Sequence, residues 1–347
     1  MKRTKLSEQV EKKLAKEPEE KSQYDGKDIT VSTGSTLLDL AISGGRFQEG
    51  GIPLGILVEI FGPSGAGKTV LLSQIAANVQ RMGGKVMFHD PEARLNKQFA
   101  RIFGLDTGEI EYTIPNTIPE VFQNVRDWVS QEEADKGTIY GVFADSLAAL
   151  STEMEMGEGD KMGMRRAKEF SEELRKTCRI ITQRNVLMVC SNQIRQNLDA
   201  GPYGMKYKSP GGEAIGFYSS LRLRCGRPQK IKEKKKIRGK EHERVVGVHT
   251  EIEVFKSSVW KPYRSAEVYI LFDYGIDDIR ANLRFLKQNT GSTVYTIKDL
   301  KLDRSLERSI QMVEEENLEQ ELRSAVIELW NEIEEGFQEK RKPKVFW

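Results

Sequence analysis

The chain has 347 residues, of which 38% are hydrophobic and 31% charged, so a sizeable core is feasible in one large domain with appendages or in two to three units. No apolar run reaches the roughly eighteen residues that a membrane span needs, which excludes a membrane protein of the helical kind. A net charge of only +2 excludes a polycation, so any contact with nucleic acid has to come from local patches.

The first thirty residues read as an appendage (1–30). Leu6, Val10 and Leu14 recur every four residues between Lys and Glu, which predicts a short amphipathic helix with a narrow apolar stripe. Such a stripe needs a partner, either its own domain or a neighbouring subunit. Met1 to Glu20 lacks the apolar stretch of a secretory signal, and Glu17 to Asp28 is polar and reads as a linker. The three cysteines, Cys178, Cys190 and Cys225, show no C-x-x-C pairing, which fits free thiols in a reducing cytosol rather than a zinc site.

From about Val31 the pattern changes to α/β. Ile56–Phe61, Lys85–His89, Ile139–Ala144, Val186–Ser191, Leu221–Cys225, Thr250–Phe255 and Glu267–Phe272 read as strands, and Val70–Met82, Pro119–Gln131 and Arg165–Asn185 as helices. Near-continuous apolar strands alternating with helices predict a mostly parallel sheet flanked by helices. The last strands follow one another without helices, so that part turns antiparallel. Gln229–Arg244, with Lys234-Lys235-Lys236 at its centre, interrupts them as a basic run: a solvated hairpin tip or a nucleic-acid contact. After Phe272 a small, mainly helical C-terminal region (273–347) is expected, with helices over Ile276–Lys287 and Leu306–Gln338 and a basic, Pro-broken tail at Lys340–Lys344.

The strongest motif is Gly62-Pro63-Ser64-Gly65-Ala66-Gly67-Lys68-Thr69, set between the strand Ile56–Phe61 and the helix that opens at Val70. Glycines let successive backbone N–H groups curl around phosphate oxygens, and the helix N-terminus adds its positive end. Lys68 reaches the β- and γ-phosphates in such a loop, and Thr69 places its hydroxyl on Mg²⁺. The spacing therefore implies a nucleoside triphosphate with Mg²⁺. Asp145 ends the apolar run Tyr140–Ala144, at the edge where a metal-linked carboxylate is needed; a helix N-cap is the plainer role, and the two are compatible. Glu92 follows the strand Lys85–His89 at the same edge and is the candidate base for an attacking water.

These motifs converge on one family. The chain resembles the RecA recombinases, filament-forming DNA strand-exchange ATPases. The likeness runs through Ser32-Thr33-Gly34-Ser35-x-x-Leu38-Asp39-x-Ala41, Val58-Glu59-Ile60-Phe61-Gly62-Pro63 and the phosphate loop. It continues through His89-Asp90-Pro91-Glu92-Ala93-Arg94-Leu95, Ala144-Asp145-Ser146-Leu147, Asn192-Gln193-Ile194-Arg195 and Gly211-Gly212-Glu213-Ala214. It spans residues 31–272, in family order and spacing. It implies a RecA-type P-loop ATPase core over 31–272, with the N-terminal helix as a polymerisation element. It implies ATP and Mg²⁺ as cofactors, with Gly62 to Thr69, Val70 and Asp145 around the nucleotide and Thr69 and Asp145 on the metal. Glu92 resembles the catalytic glutamate and Gln193 the γ-phosphate sensor, while Asn96 and Phe99 fall where the family holds adenine. Two DNA-binding loops are implied, near 155–166 and 196–212. Met162, Arg165 and Arg166, with Arg175 beyond, belong to the first; Arg195, Tyr203, Lys206, Tyr207, Lys208, Gly211 and Gly212 belong to the second. Aromatics interleaved with cations suit stacking on bases and neutralising phosphates, although ordinary loop packing would use the same tyrosines.

The family supplies two lysines from one subunit to the next subunit's ATP site. Lys256 matches the first, but Ser258 stands at the second, with Lys261 close by; this bears on turnover more than on binding. Together with the long basic hairpin and the acidic C-terminal helix, that departure fits a divergent member, of which a phage-encoded one is an example. The implied function is a DNA-dependent ATPase that forms helical filaments on single-stranded DNA and pairs it with homologous duplex in recombination and repair. Its place would be the cytoplasm, the host's if phage-encoded. The alternatives are a hexameric ring helicase, for which no arginine finger is evident, a slow-turnover ATP-binding DNA filament scaffold, and a phosphotransferase, which would leave the two Gly-rich loops unexplained.

Overall fold

The computed structural model describes residues 29–93, 95–131, 138–150, 162–193, 195–196, 207–208, 213–339 and 341. The N-terminal helix expected around Leu6, Val10 and Leu14 lies outside the described residues.

Chain order begins with β1 (Thr30–Val31), α1 (Thr36–Ser43) and β2 (Ile52–Pro53), in which β1 and β2 pair antiparallel and bracket the helix. The Ser32–Ser35 motif wraps the buried carboxylate of Asp39. That carboxylate accepts from the Ser32 hydroxyl at 2.5 Å and from both N–H and hydroxyl of Thr33 at 2.7 Å, while burial pushes its pKa up to about 7. Ser35 caps α1 by accepting from the Leu38 N–H.

Then follow β3 (Leu57–Gly62), α2 (Lys68–Arg81), β4 (Lys85–His89), α3 (Lys97–Ile102), β5 (Ile110–Thr113), α4 (Ile118–Gln131), β6 (Tyr140–Ala144), α5 (Met162–Gln183) and β7 (Val186–Gln193). Short strands β8 (Arg195–Gln196) and β9 (Tyr207–Lys208) pair with each other, and α6 (Glu213–Tyr218) leads into β10 (Leu221–Cys225). The antiparallel part is β11 (Gln229–Ile237), β12 (Lys240–Ser257), β13 (Ser265–Leu271) and β14 (Gly275–Ile276). The chain closes with α7 (Asp278–Thr290), the small pair β15 (Thr296–Ile297) and β16 (Leu300–Lys301), α8 (Leu306–Glu315) and α9 (Glu319–Gly336).

Ten strands make one sheet in the order β14-β13-β12-β10-β3-β7-β6-β4-β5, with β11 attached to β12 alone. From β10 to β5 all neighbours are parallel; from β10 to β14 they are antiparallel. Every residue of β3 is buried, as befits a strand covered on both faces. Val58 and Ile60 face a core that includes Leu71, Leu72 and Ile75 of α2, while Leu57 faces a second core containing Phe122 of α4 and Phe170 of α5. The C-terminal helices share the first core through Val313, Leu322 and Val326. Arg264 forks onto Glu334 of α9 at 3.0 and 2.8 Å, and Asp278 accepts from the Thr36 N–H and hydroxyl at 2.7 and 2.6 Å.

Two expectations are corrected. The helix expected over Leu306–Gln338 is two helices, because Asn317 turns into the left-handed region at φ 53° and ends α8. β5 was not expected: it is a four-residue edge strand with no fully buried position, so it lacks the apolar signature of its neighbours. The basic run is a bare two-stranded ribbon, since β13 pairs with β12 only from Gly247 onward. Its turn, Arg238-Gly239, has φ of 49° and 81°, the two-residue hairpin geometry that matches strand twist.

Candidate functional site

The phosphate loop leaves the carboxyl end of β3 and enters α2 at Lys68. Gly62 is glycine for space: a Cβ there would lie 2.6 Å from the Cys225 carbonyl oxygen on β10. Gly67 is glycine for two reasons, a φ of 85° and an added Cβ that would run into Ile270. It caps α2 without any side-chain bond, which leaves the helix N-terminus to the cavity in front of it. The Lys68 ammonium donates to the carbonyls of Gly62 at 3.1 Å and Pro63 at 2.8 Å. Burial lowers its pKa, opposed by the negative charges of Asp145 and Glu92. A buried ammonium held by two neutral carbonyls exchanges favourably onto a phosphate oxygen.

Asp145 lies just past β6. One carboxylate oxygen accepts from the Thr69 hydroxyl at 2.6 Å and the other from the Ser191 hydroxyl of β7. A hydroxyl and a carboxylate side by side are the hard oxygen donors a Mg²⁺ ion takes. Among the described residues there is no cluster of three or more His, Cys, Asp or Glu that could hold a metal ion.

Glu92 sits two residues beyond Asp90, which organises the turn after β4. The Asp90 carboxylate accepts from the Leu95 N–H at 2.6 Å and the Tyr112 hydroxyl at 2.9 Å, and its carbonyl accepts from the Ala93 N–H at 3.0 Å. Glu92 is half-buried at the cavity and takes a long bond, 3.5 Å, from the Ser146 hydroxyl. Behind it, burial holds the His89 imidazole down at about 4, so it is neutral, with Nδ1 2.6 Å from the Thr113 hydroxyl. Gln193 closes β7 directly beside Gly62 in register.

One cavity of about 420 Å³ joins Lys68, Thr69, Glu92, Asp145 and Gln193, with Ser64, Gly65, Gly67 and Val70 on its floor. Gly62 and Pro63 shape the loop through their carbonyls, and Ala66 is buried under it. The opposite wall is apolar: Phe103, and Val248, Ile270, Leu271 and Phe272 from the antiparallel strands. None of these apolar residues is marked by its sequence context, since an aromatic at a strand end reads as core. Ser146 and Ser191 were missed as well; a serine beside a strand-end Asp is the signal that could have found Ser146, whereas Ser191 lies inside β7 between Cys190 and Asn192 and carries no such mark.

Other expected site residues lie elsewhere. Asn96 is exposed and accepts from the Gln98 N–H as the N-cap of α3, and it does not line the cavity. The side chain of Phe99 lies outside the described residues. Lys256 is on the far end of β12, donating to the carbonyls of Gly216 at 2.8 Å and Phe217 at 3.0 Å. The Ser258 hydroxyl donates to Ser220 O at 3.1 Å, while Lys261 pairs with Glu334 at 3.6 Å and lies over the Trp260 ring. Arg175 is exposed on α5. Met162, Arg165 and Arg166 are in the first turns of α5 by their backbone. In β8 and β9, Arg195 pairs with Lys208 and Gln196 with Tyr207. Tyr203, Lys206, Gly211 and Gly212 lie outside the described residues.

Residues 4–277 match the family model for the RecA N-terminal domain. The chain is similar to Protein RecA of Anaplasma marginale (strain Florida), 34% identical over 270 residues that cover 77% of this chain and 68% of the relative. Against Protein RecA of Borrelia hermsii it is 33% identical over 308 residues, 86% of this chain and 82% of the relative. Against Protein RecA of Ruminococcus albus it is 31% identical over 291 residues, 82% and 68% of the two chains.

Proposed function

The chain belongs to the RecA family, and from that premise we propose how its residues divide the work. RecA-family proteins are recombinases of DNA recombination and repair that hydrolyse ATP in a DNA-dependent way, and this chain is such an enzyme. Its nucleotide is ATP, gripped by Gly62–Thr69, with Lys68 leaving the loop carbonyls for the β- and γ-phosphates. Thr69 and Asp145 hold Mg²⁺, which when bound neutralises charge building on the phosphates. Glu92 orients and deprotonates the attacking water, and Gln193, at the head of the second DNA loop, reads the γ-phosphate. Phe272 and Phe103 offer ring faces to the base on the apolar wall, a role that the family resemblance gives to Asn96 and Phe99.

Residues 1–30 serve polymerisation, 31–272 form the ATPase core, and 273–347 form a C-terminal helical region. Single-stranded DNA lies along the loops near 155–166 and 196–212, where Tyr203 and Tyr207 stack with bases among Lys206 and Lys208, and homologous duplex is the second partner. The filament is a helical homo-oligomer in which a neighbour's Lys256 completes each ATP site. No helix among the described residues is long and apolar enough to cross a membrane, and we place the protein in the cytoplasm.

The observation that carries this reading is the single cavity that gathers the loop lysine, the metal donors, the strand-end glutamate and Gln193. Glu92→Gln tests it: nucleotide binding stays near wild type while single-strand-stimulated hydrolysis falls about a hundredfold or more. Wild-type turnover in that variant would overturn the assignment of the base. A slow-turnover filament gains support from one observation, the Ser258 hydroxyl turned onto Ser220 O where the family has a second lysine.

A further inference from the structure

Behind the cavity a row of polar side chains crosses four adjacent strands. In register, Lys256 of β12 stands beside Arg222 of β10, and Arg222 stands beside Glu59 of β3. Glu59 in turn stands beside Cys190 of β7, and Asn192 is one pleat further along the same face of that strand. Glu59 is fully buried in the middle of the sheet, where an ionised carboxylate is stable only if fully bonded. Its two oxygens accept from Arg222 Nε at 2.6 Å and from Asn192 Nδ2 at 3.0 Å. Asn192 Oδ1 accepts from the Gln193 N–H at 3.1 Å, so the row begins at the γ-phosphate end of the site.

Its other end is held as firmly. The Arg222 guanidinium lies 4.6 Å from the Phe61 ring centroid and 5.4 Å from that of Phe255. It also packs on the last turn of α6, where a Cβ on Gly216 would come within 2.9 Å of Arg222 Nη1. Lys256 donates to the carbonyls of that same turn, Gly216 and Phe217. Burial and then Arg222 lower the Lys256 pKa, and Glu59 opposes them. Two cations on paired positions repel each other, and the Glu59 carboxylate offsets both.

We infer that Glu59 is a positioning residue for hydrolysis in the neighbouring subunit. It fixes Arg222, and Arg222 fixes the end of α6 and the approach of Lys256. Through Asn192 and Gln193 the same carboxylate joins the subunit's own γ-phosphate position to the cation it presents to the next. The inference rests on the reading that Lys256 completes the neighbour's ATP site. A buried ion pair that served only to hold the fold would act inside its own subunit, and that difference can be measured.

The test is complementation in mixed filaments on single-stranded DNA. Glu59→Gln keeps the shape and removes the charge, with an expected fall of about tenfold or more in kcat and little change in KM for ATP. Lys68→Ala subunits are inactive at their own site but carry an intact Lys256 row. Mixed in excess with Glu59→Gln subunits, they restore hydrolysis per Glu59→Gln subunit. Lys256→Ala subunits are mixed with Lys68→Ala in parallel, and Arg222→Lys, which keeps the charge but loses the fork, is run as a second variant in case Glu59→Gln unfolds. Rescue of Lys256→Ala together with either row variant supports the inference. Rescue of Lys256→Ala without rescue of the folded row variants overturns it, because Glu59 then acts within its own subunit. No rescue of Lys256→Ala overturns the parent reading, and the inference with it.

Discussion

On the parallel half of the large sheet every polar group of the cavity lies within a few residues of a strand's carboxyl end. On the antiparallel half the cavity wall comes from strand interiors and edges. Gly62–Thr69, Glu92, Asp145 and Gln193 end or follow β3, β4, β6 and β7, whereas Val248, Ile270, Leu271 and Phe272 belong to or adjoin β12 and β13. The first half fixes its chemistry with backbone geometry and short bonds such as Thr69 to Asp145 at 2.6 Å. The second supplies shape, and at the far end of β12 a cation that turns away from its own cavity. On the proposed function, the comparison teaches that one chain brings nearly all of a phosphate site and leaves part of the catalytic one to a neighbour.

The sharpest way to break that comparison is to remove the loop cation. Lys68→Ala should lower single-strand-stimulated ATP hydrolysis by about a thousandfold or more, since the phosphate charge then has no buried ammonium to meet it. Phosphate-release assays with saturating single-stranded DNA read this directly. Wild-type activity would mean that the cavity is not the hydrolytic site.

A second prediction concerns the stability of the same half. His89 is buried behind Glu92 with its pKa held down to about 4, against 6.5 in an open chain. The unfolded state therefore takes up the proton first as pH falls. The contribution of this group is full above pH 6.5 and is lost between 6.5 and about 4, a change of about 3 kcal/mol. Urea unfolding of wild type and His89→Asn across that window should show the wild type losing more stability on acidification. Parallel curves would show that His89 is not desolvated as described.

What the residues announced follows the same division. The phosphate loop is contiguous, and its glycines, lysine and threonine each carry a stereochemical reason to be there. Glu92 and Asp145 are carboxylates that end apolar runs, a placement the strand pattern exposes. Phe272 carries no such mark, because an aromatic after an apolar strand fits a core as well as a base. Asn96 drew attention through the family resemblance, yet its side chain caps α3. The basic run read as a hairpin, and its three glutamates pair with Lys232, Lys234 and Lys235, which only the strand register reveals. The Glu59 row was invisible for the same reason: Glu59 stands 133 positions from Asn192 and 163 from Arg222, on strands with no local motif joining them.

Phe272→Ala tests the apolar wall. Removing the ring should raise KM for ATP about tenfold or less and leave kcat near wild type, the pattern of lost ground-state binding. A fall in kcat with KM unchanged would place Phe272 in the chemistry and dissolve the contrast between the two halves.

The smallest expected effect is also the most diagnostic for the antiparallel half. Ser258 follows Lys256 by two residues and spends its hydroxyl on Ser220 O, a contact that any short polar side chain at the surface could lose at little cost. Lys261, close by, pairs with Glu334 at 3.6 Å and lies over the Trp260 ring. Ser258→Lys therefore adds a second cation at the end of β12 without removing a buried contact. If that end faces a neighbour's triphosphate, kcat for ATP should rise by about twofold to tenfold in filaments, through stronger charge stabilisation in the transition state. In protein held below its assembly concentration the rate should not move, because the added cation acts only across a subunit boundary. A rise in the unassembled protein would mean that the new lysine reaches its own cavity, and the division between a self-contained phosphate site and a neighbour's cation would fall.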